Sequence, residues 1–198
     1  MEAFDNLFNS IPQSGLTLSL MIAIGIGFSA ASLDASETSP SSGLEWENEI
    51  TIEKNGDRLD RIHNLLTDQG KKYIAGKLFN TSTTNALHTS SNFTYISLGN
   101  GSDVQADDVR LDSELTQFGL SRAEATGINS GSVGTYTLKK KFTANLGTGD
   151  PSSLKVNTTG LNFGESGDKL ISGGAFTSAT LKDGDQITVT HEITISGS

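Results

Sequence analysis

The sequence predicts a mainly β protein: an antiparallel β-sandwich or jelly-roll-like domain with one short helix, preceded by an apolar N-terminal segment. Three observations carry this expectation. The chain has 22 Gly but only 3 Pro, with Ser, Thr and Asn abundant, a composition that suits short strands joined by turns. Ile187, Val189, His191, Ile193 and Ile195 alternate with Gln186, Thr188, Thr190, Glu192 and Thr194, the period of a strand with one face in a core. Asn55-Gly56 and Asp183-Gly184 stand beside such runs, as hairpin turns do.

At 198 residues the chain has room for one domain of ordinary size plus an arm. The expected boundaries are an apolar arm over 1–33, a Ser/Pro linker over 34–43 and a β-sandwich domain over 44–198. Cysteine is absent, which removes disulfides, thiolate metal ligation and a cysteine nucleophile. The net charge is −9, and residues 1–53 hold eight carboxylates with no Lys or Arg, leaving −1 for the remainder. So acidic an N-terminal part repels phosphate backbones, and nucleic acid is not expected as a partner.

Leu16 to Ala31 carries no charge. Within it Leu16, Leu18, Leu20, Ile22, Ile24, Ile26 and Phe28 alternate with Thr17, Ser19, Met21, Ala23, Gly25, Gly27 and Ser29. As a strand this presents one long apolar face, suited to filling a groove in a neighbouring subunit. The same residues also support a helix, because Gly15, Ser19, Ala23, Gly27 and Ala31 recur every fourth position as a small-residue stripe. Both readings stand, and the second allows membrane association through residues 16–31, although a span of about 20 residues is usual and no Lys or Arg flanks this one. As a secretory leader the segment lacks the positive n-region, although Ser29 and Ala31 would suit a cleavage site; the segment is expected to be retained, with a cleaved leader as the third reading. Gly25, Gly27 and Ala30 match a dinucleotide fingerprint, but DASETSPSSG follows where a helix would have to open, and nucleotide binding is set aside.

In the domain, Ile50 and Ile52 alternate with Glu49, Thr51 and Glu53 as a first strand. Leu66, Tyr73, Ile74 and Leu78 share a helical face, with Thr67 or Asp68 as cap and Lys71, Lys72 and Lys77 on the wet side. NFTYISLGNGSD reads as a buried strand ending in a glycine turn. Tyr136, Leu138 and Phe142 mark a further strand, on which Lys139 to Lys141 are expected to line an exposed edge.

Chemistry is sparse. His63, His88 and His191 show no metal-ligand spacing, and no nucleophile elbow, P-loop or EF-hand pattern occurs. His191, on an apolar strand face, reads as a partnered core residue. Asp103, Asp107, Asp108, Asp112 and Glu114 have oxygen ligands for calcium, with a solvated acidic loop as the expected reading. Asn80, Asn92, Asn100 and Asn157 begin N-x-[S/T] acceptors for glycosylation. Neither catalytic residues, a bound metal nor a cofactor is expected.

The order LLTDQGKKYIAGKLF, FTYISLGNGS, LDSELTQFGLSRAEAT, TLKKKFTA and LISGGAFTSATLKDGDQITVTHEITIS resembles small tail-associated and virion structural proteins of phages and related archaeal viruses, over about residues 59–196. The apolar start joined to a β domain also resembles archaeal surface filament subunits. The resemblance implies a structural, non-enzymatic subunit of a virion, tail or extracellular filament, located in the particle or at the cell surface. Its partners would be other copies of itself and other virion or surface proteins. A membrane-anchored surface adhesin or binding module is the alternative expectation.

Overall fold

A computed structural model describes residues 44–79, 92–129 and 132–197. The arm residues Leu16 to Phe28, the linker, Asn80 and His88 lie outside the described residues, as does the side chain of Leu78. The described chain forms β1 (Leu44–Lys54), β2 (Asp57–His63), β3 (Leu65–Leu66), α1 (Asp68–Phe79), β4 (Tyr95–Gly99), β5 (Ala123–Glu124), β6 (Thr126–Asn129), β7 (Thr135–Thr143), β8 (Leu154–Asn162), β9 (Leu170–Leu181) and β10 (Gln186–Gly197). They assemble into two five-stranded sheets, β2-β1-β10-β7-β6 and β3-β9-β8-β4-β5, with every pairing antiparallel. The protein is thus a mainly β sandwich with one short helix, as its composition and alternation predict.

The first sheet follows the period-2 rule. On β1, Ile50 and Ile52 are fully buried while Glu45 and Glu47 are exposed; on β10, Ile187, Val189, His191 and Ile193 turn inward. Ile50, Ile52, Ile187, Val189 and Ile193 meet Ile96, Leu98, Val156, Leu161 and Leu181 of the second sheet in one shared core. The β1–β2 hairpin turns at Asn55 and Gly56, whose φ angles of 52° and 93° give the left-handed pair that matches strand twist. Asn55 is also a clamp between hairpins. Its amide donates to Asp185 Oδ1 at 3.0 Å and its Oδ1 accepts from Gln186 N at 2.7 Å, while Lys54 pairs with Asp185 at 3.2 Å.

β7 corrects one expectation. It lies between β10 and β6, and Thr126 to Asn129 pair with Lys139 to Tyr136, so Lys139 does not sit on an open edge. Lys139 and Lys141 point to solvent from the outer face of the sheet, and the β6 pairing stops at Lys139, so Lys140 and Lys141 lie past it. Alternation reports which face a side chain takes; it carries no information about the neighbouring strand.

α1 opens at Thr67, whose hydroxyl accepts the Gly70 N–H at 3.0 Å and reaches the Leu170 and Ile171 carbonyls at 2.9 Å. Thr67 is therefore the N-cap, and Lys71 closes on Asp68 at 2.9 Å. Leu66, Tyr73, Phe163 and Ile171 form a second cluster beneath the helix. Val104, Leu111 and Leu170 form a third. The second sheet is consequently packed on both faces, and β8 and β9 bury Thr158, Thr159 and Ser172 along with their apolar residues.

Gly70 shows how tight that packing is. A Cβ there would run into the Ile171 carbonyl oxygen and stand 2.9 Å from Leu66 Cδ1. Gly-to-Ala inside a helix ordinarily stabilises by about 1 kcal/mol. Gly70→Ala is expected to destabilise instead, by about 1–3 kcal/mol, because β9 backbone must give way. Chemical denaturation of the variant checks the sign.

Candidate functional site

Among the described residues the sandwich is open at one end. Near the start of β1, the end of β10 and the start of β7, the inward-facing residues Trp46, Ile195, Ile193 and Tyr136 sit side by side, with Trp46 opposite Ile195 and Ile193 opposite Tyr136 in the ladders. Among the described residues, the Asn92–Thr94 segment is what lies above them on the side of the second sheet. The result is an apolar mouth of about 250 Å³, completed by Gly134 and Phe93. Tyr136 and Ile195 are 42% and 39% exposed, unusual for large side chains on the core-facing side of a sheet.

Phe93 is the main cover. Its ring meets Trp46 edge-on at 6.0 Å and Tyr73 edge-on at 6.2 Å, and Tyr73 stacks on Phe163 at 4.9 Å. An aromatic row therefore runs from the mouth to the cluster beneath α1. Leu44, two residues before Trp46 and paired with Gly197, places the root of residues 1–43 at this same end.

A larger polar cleft of about 740 Å³ lies between residues 110–122 and 165–168. Its buried charges are neutralised internally: Arg122 Nε and Nη2 donate to the two Glu114 oxygens at 2.8 and 2.7 Å, and Nη1 donates to the Gly164 and Gly167 carbonyls at 3.2 Å. At its rim Arg110 faces Asp168 at 3.8 Å.

The acidic loop works as a set of backbone ties. Asp103 Oδ1 accepts the Val104 and Ala175 N–H groups at 2.8 Å, and Asp108 accepts Gln105 N at 2.7 Å. Among the described residues no three His, Asp or Glu side chains come together as a metal site. Of the histidines, His63 is exposed and 3.7 Å from Glu47, whereas His191 is fully buried. His191 Nδ1 lies 3.2 Å from Asn48 Nδ2, which also reaches Ser172 Oγ at 3.4 Å, and His191 Nε2 has no hydrogen-bond partner among the described residues. Desolvation pushes its pKa down to about 3.

The acceptor asparagines differ. Asn92 and Asn100 are exposed. Asn157 lies within β8, donates Nδ2 to the Gly101 carbonyl at 3.0 Å, and is followed by the fully buried Thr158 and Thr159. No helix among the described residues is long and apolar enough to cross a membrane.

No protein-family model matches the chain, and neither curated proteins nor solved structures show a significant similarity to it. The mouth is the feature that sequence reasoning missed. Its signal was present in the chain's one tryptophan, close to the linker, and in Tyr136 and Ile195, each at the end of an alternating run.

Proposed function

We propose that the protein is a non-enzymatic structural subunit that self-assembles into a virion, tail or extracellular filament, with its Leu16–Phe28 segment covered by neighbouring copies. The observation that carries this reading is the joining of that uncharged segment to a domain whose described residues already form two five-stranded sheets around a shared core. Read as a strand, that 13-residue stretch puts seven large side chains on one face, an apolar surface that calls for cover.

Removing the first 33 residues is expected to give a soluble monomer, read by sedimentation velocity beside the assembled full chain. A truncated protein that polymerises as the full chain does would overturn the proposal. Detergent dependence of the full chain without any ordered oligomer would favour a membrane-anchored surface module in its place.

A further inference from the structure

We propose that the open mouth between Trp46, Phe93, Tyr136 and Ile195 receives the Leu16–Phe28 arm of a second copy. The inference rests on the assembly reading above and adds the receiving surface.

The mouth is a place where the core runs out. Among the described residues, β1, β7 and β10 carry inward-facing apolar residues past the cover on the opposite side, and Tyr136 and Ile195 are 42% and 39% exposed. Burying such residues gains roughly 25 cal/mol per Å² of apolar surface, and an uncharged segment with alternating large side chains supplies a matching face. The arm brings no charge into the mouth, so its insertion leaves no uncompensated carboxylate or cation there.

Position and length select a second copy as the donor. The arm leaves its own domain beside the mouth, because Leu44 pairs with Gly197 two residues from the Trp46–Ile195 pair. Residues 29–43 then give 15 residues of connection, which reach roughly 50 Å when extended, enough to cross to an adjacent subunit. The apolar face of Leu16–Phe28 is itself roughly 40 Å long as a strand, far more than a mouth of about 250 Å³ accommodates. Along β1 the outer face of the first sheet carries Glu45, Glu47, Glu49, Thr51 and Glu53, which offer that excess no apolar cover. In an array of copies, part of each arm fills the next mouth and the rest is covered by the subunit that receives it.

The test uses the full chain. One variant spoils the mouth (Ile195→Asp) and one spoils the arm (Ile22→Asp with Ile24→Asp); circular dichroism and thermal melting confirm that each folds, and Ile195→Ser replaces Ile195→Asp should the charge disturb β10. Each variant alone is expected to remain monomeric while the unmodified chain assembles. Mixed at equal concentration, the two are expected to form a discrete dimer of twice the 20.8 kDa chain mass, since one intact arm meets one intact mouth and neither can propagate. If the mouth variants assemble like the unmodified chain while the arm variant does not, the arm is covered elsewhere: this inference fails and the assembly reading survives. If the arm variant also assembles normally, both fail. An unmodified chain that stays monomeric with its arm protected from protease, or a mixture that yields no dimer, places the arm in its own mouth or in no mouth and overturns the inference.

Discussion

Glu114→Ala is expected to cost about 3–5 kcal/mol of folding stability, because it strands a buried cation. Arg122 has only 5% of its side chain exposed and Glu114 15%, so water screens the pair little. The guanidinium joins three pieces of chain: the residue 114 segment through its bidentate contact, the approach to β5 at Arg122 itself, and the 164–167 loop through two carbonyls. Without the carboxylate two N–H groups lose their partners and the charge loses its counterpart. Urea denaturation should show a lower midpoint at unchanged slope. Replacing both residues, Glu114→Leu with Arg122→Leu, is expected to recover a large part of the loss, since the desolvation penalty leaves with the charges. A loss below about 1 kcal/mol for Glu114→Ala would mean that the pair behaves as a surface ion pair.

The second large effect is a loss of stability in mild acid. The folded pKa of His191 lies near 3, against 6.5 for an ordinary histidine, because the ring is fully desolvated. The unfolded chain therefore takes up a proton that the folded chain refuses. Stability is complete above pH 6.5 and falls with decreasing pH, by up to about 1.4 kcal/mol per unit, until the folded pKa is reached. Asp185 is held at about 2, chiefly by the Lys182 N–H and then by the Asn55 amide, and Asp60 is lowered chiefly by the Thr177 N–H. Those carboxylates release their contributions only below about pH 4, the model carboxylate range. The interval from pH 6 to pH 4 thus isolates His191. His191→Leu should flatten the stability profile across that interval; an unchanged slope in the variant would assign the acid sensitivity to another group.

How much of this was legible in the sequence depends on how many faces of each element are covered. β1 and β10 have one wet face, so Ile50, Ile52 and the run from Ile187 to Ile195 announced themselves by alternation. α1 was legible from Thr67 and Tyr73, a cap and a buried aromatic at helical spacing. β8 and β9 are covered by the first sheet on one side and by α1 and the 104–111 segment on the other. Buried Thr158, Thr159 and Ser172 then occupy positions that a half-wet strand would leave to solvent, and the period disappears. β6 is four residues long and contains Gly127, over which the Tyr136 ring lies, so no pattern could mark it, and Lys139 was placed on an edge for want of that partner.

The candidate site follows the same logic. Ile195 and Tyr136 were legible as members of apolar faces, but their exposure depends on where the opposite sheet stops. Two stretches distant in sequence set that limit. The acidic loop shows the reverse: five carboxylates clustered in sequence were legible, while the assignment of Asp103 to the Ala175 amide and Glu114 to Arg122 depends on contacts that only the fold creates.

The aromatic row has a practical consequence. Since Trp46 is the chain's one tryptophan and touches Phe93 at the rim of the opening, any guest that displaces water there changes the surroundings of a single indole. The emission wavelength of the unlabelled protein therefore reports how full its own end is. Tyr73 and Phe163, next in line, join that end to the packing beneath the helix.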